Sequence, residues 1–480
     1  MTKLLAKAED RAGMLRQALR SLRQRWQVIA GAEYDADSAS TRPDLPDNDI
    51  DRLKTQMRAC LEGRGGEVTA RARAAALGRA YLALDASGRE RFLKLLAADF
   101  DVSDAELDAA ADALRATTDP GERRAARRRL RQALDAPRIK LLTQFNSLPQ
   151  GIKFLVDMRA ELLSLVRNDP DLMPLEDDLK SLLATWFDVD FLELRRITWD
   201  TASGALLERL IAYEAVHPIE SWTDLKNRLD YDRRYFAYFH PRMPDEPLIF
   251  VEVALVNGIA GNVQELLDAK APLQDPEAAN TAIFYSISNA QRGLDGISFG
   301  NFLIKRVVDR LSQEFPNLKT FATLSPIPGF MRWLNQSLRE GRPGLLLPAE
   351  RKGLHAAAGV SKGGKGWLKD ALAGSDWPHN DAVAKAMKPI LMRLCATYLV
   401  REKRNGGLAT DPVAHFHLSN GARMERLNWL GDRSSRGLRQ SAGLMINYRY
   451  DLARIDANHE SYRSTGKRAI SSQIKALLVE

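Results

Sequence analysis

The chain has 480 residues, 45% of them hydrophobic, with a formal net charge of +8 and a pI near 9.3. That length exceeds the usual span of one hydrophobic core, and the apolar content is enough for two domains. Two cysteines, Cys60 and Cys395, exclude a disulfide framework and lack the spacing of a structural zinc site, as expected in a reducing compartment.

No apolar run approaches the roughly 18 residues that a membrane span requires. The N-terminus, MTKLLAKAEDRAGMLRQALRSLRQRW, has no apolar signal-peptide core. It is basic and amphipathic as a transit peptide is, but Glu9 and Asp10 oppose that reading, and the final Leu-Val-Glu is no peroxisomal address. We read the protein as cytoplasmic, with no membrane partner.

From residue 1 to about 185 the pattern is helical, dominated by alanine, leucine and arginine. Ser87 with Glu90 and Ser103 with Glu106 have capping-box spacing, and Asp119-Pro120 with Glu122 combines a cap, a first-turn proline and an acidic first turn. Residues 35 to 50 read as an interhelical loop. Leu155, Met158, Leu162 and Val166 fall on one helical face. The arginine-rich run Gly121 to Leu134 contains no aromatic residue on which a base could stack, so it reads as a solvated face or subunit contact and not as a nucleic-acid stripe. With no candidate chemistry, residues 1–185 are expected to scaffold or oligomerise.

Near Trp186 the composition changes, and strands are expected from His240 onward. Leu248 to Val256 is apolar on both alternating faces except at Glu252, as in an interior strand of a covered sheet. An unpaired buried carboxylate is costly, so Glu252 should reach solvent, pair with a base or belong to a site.

The stretch from Thr281 to Phe330 organises the rest. An apolar strand, Ala282 to Ile287, meets a loop holding Gly293, Gly296 and Gly300, which opens into an amphipathic helix. The loop matches neither the dinucleotide nor the nucleoside-triphosphate fingerprint. It offers backbone N–H groups and a helix N-terminus, which suit an anion, and it reads equally as a tight turn. A second strand ends at Ser325, and because Pro326 follows, Ser325 reads most simply as a helix cap.

Residues 335 to 410 return to helix and loop, with SKGGKGW, Ser361 to Trp367, as a surface loop lacking Walker spacing. In the final block, Asp411 to Asp451, His415 and His417 would share a face of a strand, but no third ligand stands at a metal-site spacing. No metal is expected, and His417 taken alone reads as a hydrogen-bonded core histidine. Gly443 to Tyr450 reads as a strand, and a closing helix is expected from about residue 468.

The blocks HPRMPDEPLIFVEVAL, TAIFYSISNAQRGLDGISFGNFLIKRVV, TLSPIPGFMRWL and DPVAHFHLSNGARMERLNW with GLMINYRY resemble those of the malonyl-CoA decarboxylase family. The similarity is dense from about 240 to 330 and 390 to 451, and weaker but colinear over most of the chain. The resemblance implies an α+β protein: an all-helical N-terminal domain, 1–185, followed by an acetyltransferase-like (GNAT) mixed α/β domain, 186–480. It implies that the loop Asp295, Gly296, Ile297, Ser298, Phe299, Gly300 and Asn301 holds the CoA diphosphate, although Leu294 stands where that fold often has glycine. It carries the catalytic, substrate-contacting serine and histidine onto Ser325 and His417, and a site tyrosine onto Tyr450. Position 415 departs from the family pattern, which has asparagine before Phe-His, and motif position favours His417. Lys305, Arg306, Arg433, Arg436 and Arg439 are candidates for the CoA phosphates.

The implied substrate is malonyl-CoA, and the implied assembly a homotetramer. Loss of CO2 leaves electrons on C2 that the thioester carbonyl accepts as an enolate, so the chemistry calls for no cofactor. A hydroxyl and an imidazole can orient the carboxylate, stabilise the enolate and return a proton, without acyl transfer to serine. The alternatives are an acyl-CoA N-acyltransferase on the same fold and a non-catalytic nucleic-acid or scaffold protein.

Overall fold

Helix caps and buried stripes set the first part of the chain. The computed structural model describes Trp26 and residues 41–62, 66–187, 191–297, 303–358, 368–369, 372 and 376–478. It divides into two compact units. One comprises Met1–Glu193, Phe239–Leu248 and Ala290–Phe299, and the other Leu194–Tyr238, Ile249–Asn289 and Gly300–Glu480.

The first unit is helical from Asp47–Glu62 through Met173–Trp186. As the spacing predicts, Ser103 accepts the Glu106 N–H and Asp119 accepts the N–H groups of Gly121 and Glu122, with Pro120 opening the helix. The helix Ala86–Asp99 corrects the third expectation. Its cap is Asp85, which accepts the Gly88 N–H at 2.9 Å, and Ser87 lies inside the first turn. Packing selects this register: the Asp85 N–H bonds the Pro43 carbonyl, and a Cβ on Gly88 would lie 2.1 Å from that same oxygen.

The predicted loop also ends early, because a helix starts at Asp47. Buried Asp49 accepts the Arg42 N–H and guanidinium and the Arg52 guanidinium, and the Arg42 N–H does most to hold its carboxyl down at about 2. In the helix Gly151–Leu165, Leu155, Met158 and Leu162 are buried together, while Val166 lies just beyond its end. The arginine-rich helix Pro120–Ala133 buries nothing, in keeping with a solvated face.

The second unit is built on a sheet of β1 Glu193–Ile197, β2 Arg233–His240, β3 Met243–Val256, β4 Thr281–Asn289, β5 Thr320–Thr323, β6 Ser325–Pro326, β7 Arg423–Asn428 and β8 Met445–Tyr450. Strands therefore begin before His240. β2 is aromatic and almost wholly buried, but flanking arginines and aspartates mask it in the sequence. The order is β1-β2-β3-β4-β5-β8-β6, with β7 on β8. β3 runs antiparallel to β4, β4 parallel to β5, and β8 antiparallel to β5, β6 and β7.

A parallel pair needs a crossover, and the helix Leu303–Glu314 supplies it, burying Leu303, Ile304, Val307, Val308 and Leu311. Ala254, Ile283, Tyr285, Ala322, Leu324 and Met445 form a core with Val263 and Leu266. The α+β expectation, helical first and mixed α/β afterwards, is met.

One local expectation is not. His415 and His417 lie on a helix, Pro412–Ser419, opened by Asp411 and Pro412, so a separation of two turns them away from each other. The closing helix expected from about residue 468 is present as Ser472–Ala476, and what the sequence reading missed is the helix before it, Ile455–Thr465. Ser361 to Trp367 lies outside the described residues.

Candidate active site

The site forms where the parallel strands part. β4 and β5 pair from Thr281 with Thr320 to Phe284 with Thr323, and the Leu324 N–H makes a last bond to the Phe284 carbonyl. Beyond that point β6 stays on β8, Ser325 opposite Ile446 and Pro326 opposite Met445, in the register that pairs β5 with β8. The β3–β4 register shifts at Glu252/Val253, two β4 residues advancing against one of β3. Among the described residues no strand covers this side of β4 past Phe284.

Ser325 occupies the divergence point and caps no helix. The next helix, Phe330–Arg339, begins at Gly329 without a side-chain cap, so the sheet overrides the Ser-Pro signal. The Ser325 hydroxyl donates to Thr323 Oγ1 at 2.8 Å and lies 3.1 Å from His417 Nε2. Thr323 Oγ1 also accepts the Tyr448 N–H, in place of a ladder carbonyl. The Asn447 amide donates to the Thr323 and Ala260 carbonyls and accepts from the Asn428 amide, which holds the interrupted strand.

His417 is positioned by its helix and by a stack. Its ring lies against Tyr448, with centroids 4.5 Å apart and planes at 25°. Nδ1 is 2.8 Å from the Tyr450 hydroxyl. Asp411 ties this helix to the turn after Ser325: its carboxylate accepts the N–H groups of Val413 and Ala414, the Gly329 N–H and the Tyr398 hydroxyl. Gly329 must be glycine here, because a Cβ would lie 2.0 Å from the Tyr398 hydroxyl oxygen.

Ser325, His417 and Tyr450 are all buried, at 5%, 3% and 2% exposure. Burial pushes His417 down to about 3, so the imidazole is neutral in the free site at physiological pH. A hydroxyl on each ring nitrogen gives a line whose hydrogen bonds can reverse together. With the Ser325 hydroxyl donating to Thr323, Nε2–H donates to Ser325 and the Tyr450 hydroxyl donates to Nδ1; the line reverses when the Ser325 hydrogen turns from Thr323 to Nε2, which makes Nδ1–H the donor to Tyr450. Such a line has the groups needed to relay a proton, and among the described residues no group of three metal-binding side chains is found.

His415 takes a different part. Its Nδ1 bonds the Tyr462 hydroxyl at 2.9 Å, and burial holds it down at about 4.

Of the predicted diphosphate loop, Asp295, Gly296 and Ile297 are described, and Ser298, Phe299, Gly300 and Asn301 lie outside the described residues. The described part belongs to the helical unit. A Cβ on Gly293 would lie 1.7 Å from the Val156 carbonyl oxygen, and Gly296 adopts φ +74°, so both positions require glycine. Buried Arg159 donates to the carbonyls of Gly293 at 2.6 Å and Asp295 at 2.9 Å, and pairs with Glu176.

Among the basic candidates, Lys305 lies 3.3 Å from Asp456, Arg306 stacks over Tyr238, and Arg436 donates to the Ala215 and Val216 carbonyls. Arg433 and Arg439 are exposed.

Thr323, Asn447, Asp411 and Arg159 escaped the sequence reading, although the last two left a signal. Asp411-Pro412 repeats the cap signal read at Asp119-Pro120. Arg159 falls on the apolar face of Leu155 and Leu162, where a charge needs a partner.

Residues 190–480 match the family model for the malonyl-CoA decarboxylase C-terminal domain, and residues 100–187 that for its N-terminal domain. The chain is 38% identical to mitochondrial malonyl-CoA decarboxylase of Anser anser anser over 422 residues, 84% of this chain and 82% of that protein. It is 40% identical to the mitochondrial enzyme of Rattus norvegicus over 364 residues, 73% of each. The solved malonyl-CoA decarboxylase of Rhodopseudomonas palustris has 42% identity and a TM-score of 0.81, covering 89% of this chain and 99% of that one. That of Agrobacterium vitis has 41% identity and a TM-score of 0.79, covering 89% and 100%. With both of its regions and most of its length matched, this chain belongs to the malonyl-CoA decarboxylase family.

Proposed function

We propose that the chain converts malonyl-CoA to acetyl-CoA and CO2 with Ser325, His417 and Tyr450 as its proton-handling groups. Decarboxylation follows from family membership, which places it ahead of acyl transfer. The observation behind the residue roles is the buried line from Ser325 through His417 to Tyr450, set where β4 and β5 part. The open edge of β4 past Phe284 suits the amide-bearing pantetheine arm, which can add to it as a strand would.

The substrate supplies the charge that the free site lacks. A malonyl carboxylate beside His417 favours the imidazolium, so one proton enters with the substrate. The C–C bond to the carboxylate then breaks, CO2 leaves, and the electron pair moves onto the thioester oxygen as an enolate. The Nε2 proton passes through the Ser325 hydroxyl to C2, giving acetyl-CoA and a neutral histidine. Tyr450 holds Nδ1 throughout, and Ser325 also contacts the departing carboxylate.

On the same reading Asp295 to Asn301 take the CoA diphosphate, residues 186–480 form the catalytic domain, and residues 1–185 scaffold a cytoplasmic homotetramer. The deciding experiment incubates the enzyme with malonyl-CoA and no amine. Acetyl-CoA and CO2 should appear, and Ser325→Ala and His417→Ala should each lower kcat by about 10²–10⁴ while CoA binding survives. Wild-type turnover in either variant removes that residue's role, and dependence on an amine acceptor restores acyl transfer.

A further inference from the structure

Glu252, the one charged residue in the apolar run of β3, is wholly buried and has Arg228, Glu214 and Tyr285 as polar neighbours. Its Oε2 lies 3.3 Å from Arg228 Nη1 at the end of the helix Trp222–Arg228. Its Oε1 has no donor aligned on it. Beside it stand the Glu214 carboxyl, within side-chain hydrogen-bonding reach, and the Tyr285 hydroxyl. Tyr235 on β2 completes the enclosure, and its hydroxyl, like His217 Nε2 nearby, lacks a partner. Asp432 and Arg436 face His217, and Arg233 faces Tyr285.

The charges in this cluster decide where a proton sits. Arg228 is already matched by Asp224, through contacts of 2.9 and 3.1 Å. Glu214 is the better supplied with donors: Oε1 accepts the N–H groups of Val216 and His217, each at 2.7 Å, and Oε2 accepts the hydroxyls of Ser286 at 2.9 Å and Ser288 at 3.2 Å. Glu252 has one long contact with Arg228 and the Tyr285 hydroxyl beside it, and its Oε1 has no donor aligned on it. Two buried carboxyls this close favour protonation of one of them, and Glu252, with fewer donors than Glu214, is the one that takes the proton. Burial first, and then the neighbouring Glu214 charge, push it up to about 8.

The pair touches the functional strand. Ser286 and Ser288 follow Phe284 on β4, in the part that β5 no longer covers, and Glu252 stands at the register shift opposite Ser286. We propose that Glu214 and Glu252 share one proton and together position the splayed half of β4, so that ionising Glu252 loosens the Ser286–Ser288 stretch and weakens binding of the acyl-CoA. Both are positioning residues and neither contacts substrate. The kinetic part rests on the decarboxylase reading, and the protonation part does not.

The test uses the full chain and compares wild type with Glu252→Gln, whose amide can donate to Glu214 and whose carbonyl can accept from Arg228. The wild-type KM for malonyl-CoA should rise above about pH 8, by up to about tenfold per pH unit, while Glu252→Gln stays within about threefold of the wild-type pH 7 value up to pH 9.5. Glu252→Ala, which cannot donate, should have a raised KM already at pH 7. The same alkaline rise in wild type and Glu252→Gln, or no rise in wild type, overturns the positioning role.

Infrared titration reads the proton directly and needs no activity. A protonated-carboxyl band should disappear from wild type between pH 7 and 9.5, with no such loss in Glu252→Gln. If Glu252→Gln does not fold, the wild-type titration decides, and the absence of such a loss overturns the shared proton. A lost band in a protein that does not decarboxylate malonyl-CoA would keep the carboxyl pair and refute only the decarboxylase reading.

Discussion

Replacing His417 by Gln tests the buried neutral imidazole through stability as well as rate. His417 is 3% exposed, both ring nitrogens face hydroxyls, and its pKa falls from 6.5 to about 3 through burial. The unfolded chain takes up this proton below about pH 6.5, whereas the folded chain resists until about pH 3. Stability owed to the neutral ring is therefore fully present above pH 6.5 and is lost as pH falls toward 3. At 1.36 kcal/mol per pH unit, the fall from pH 6.5 to 4.5 costs on the order of 3 kcal/mol. Glutamine cannot titrate, so the variant should lose about that much less between the same two pH values. Urea unfolding of both proteins at pH 6.5 and 4.5 measures the difference, and the other buried histidines cancel because they are common to both. The kcat of the glutamine variant should fall by about 10²–10⁴ at pH 7, because the ring proposed to carry the proton is gone. Equal acid sensitivity of the two proteins would refute the buried, proton-resisting site.

Two further outcomes test the helical unit. Arg159→Lys keeps a charge but cannot serve the Gly293 and Asp295 carbonyls and Glu176 together, so the KM for malonyl-CoA should rise roughly tenfold with kcat little changed. An unchanged KM would separate this anchor from substrate binding. Asp85→Ala should cost about 1 kcal/mol in urea unfolding and Ser87→Ala less than about 0.5 kcal/mol, and the reverse order would restore the capping box first read from the spacing.

Legibility differed with the range of the interaction that fixes each feature. The caps at Ser103 and Asp119 were readable because donor and acceptor lie within three residues. Between Asp85 and Ser87 the local rule had two candidates, and a distant carbonyl, that of Pro43, chose. β3 and β4 were readable as long apolar runs, whereas β2 was not, because its aromatic stretch is short and bracketed by charge. Glu252 stood out as an exception in its strand, but its partners Arg228 and Glu214 come from segments that no periodicity connects to it.

The sequence by itself determined the helical beginning, the strand–loop–helix order around Thr281 to Phe330 and, through its long motifs, the family. It determined them because composition, periodicity and motif order are properties of the chain read in one dimension. Motif position already favoured His417 over His415, but only the tertiary structure decided that Ser325 is a strand residue and not a cap, that the His417 ring meets it, and that Thr323, Asn447 and Asp411 hold them there. Those facts depend on where β5 leaves β4 and on a helix brought against Ser325 from about 90 residues away, a distance over which local propensity has no influence.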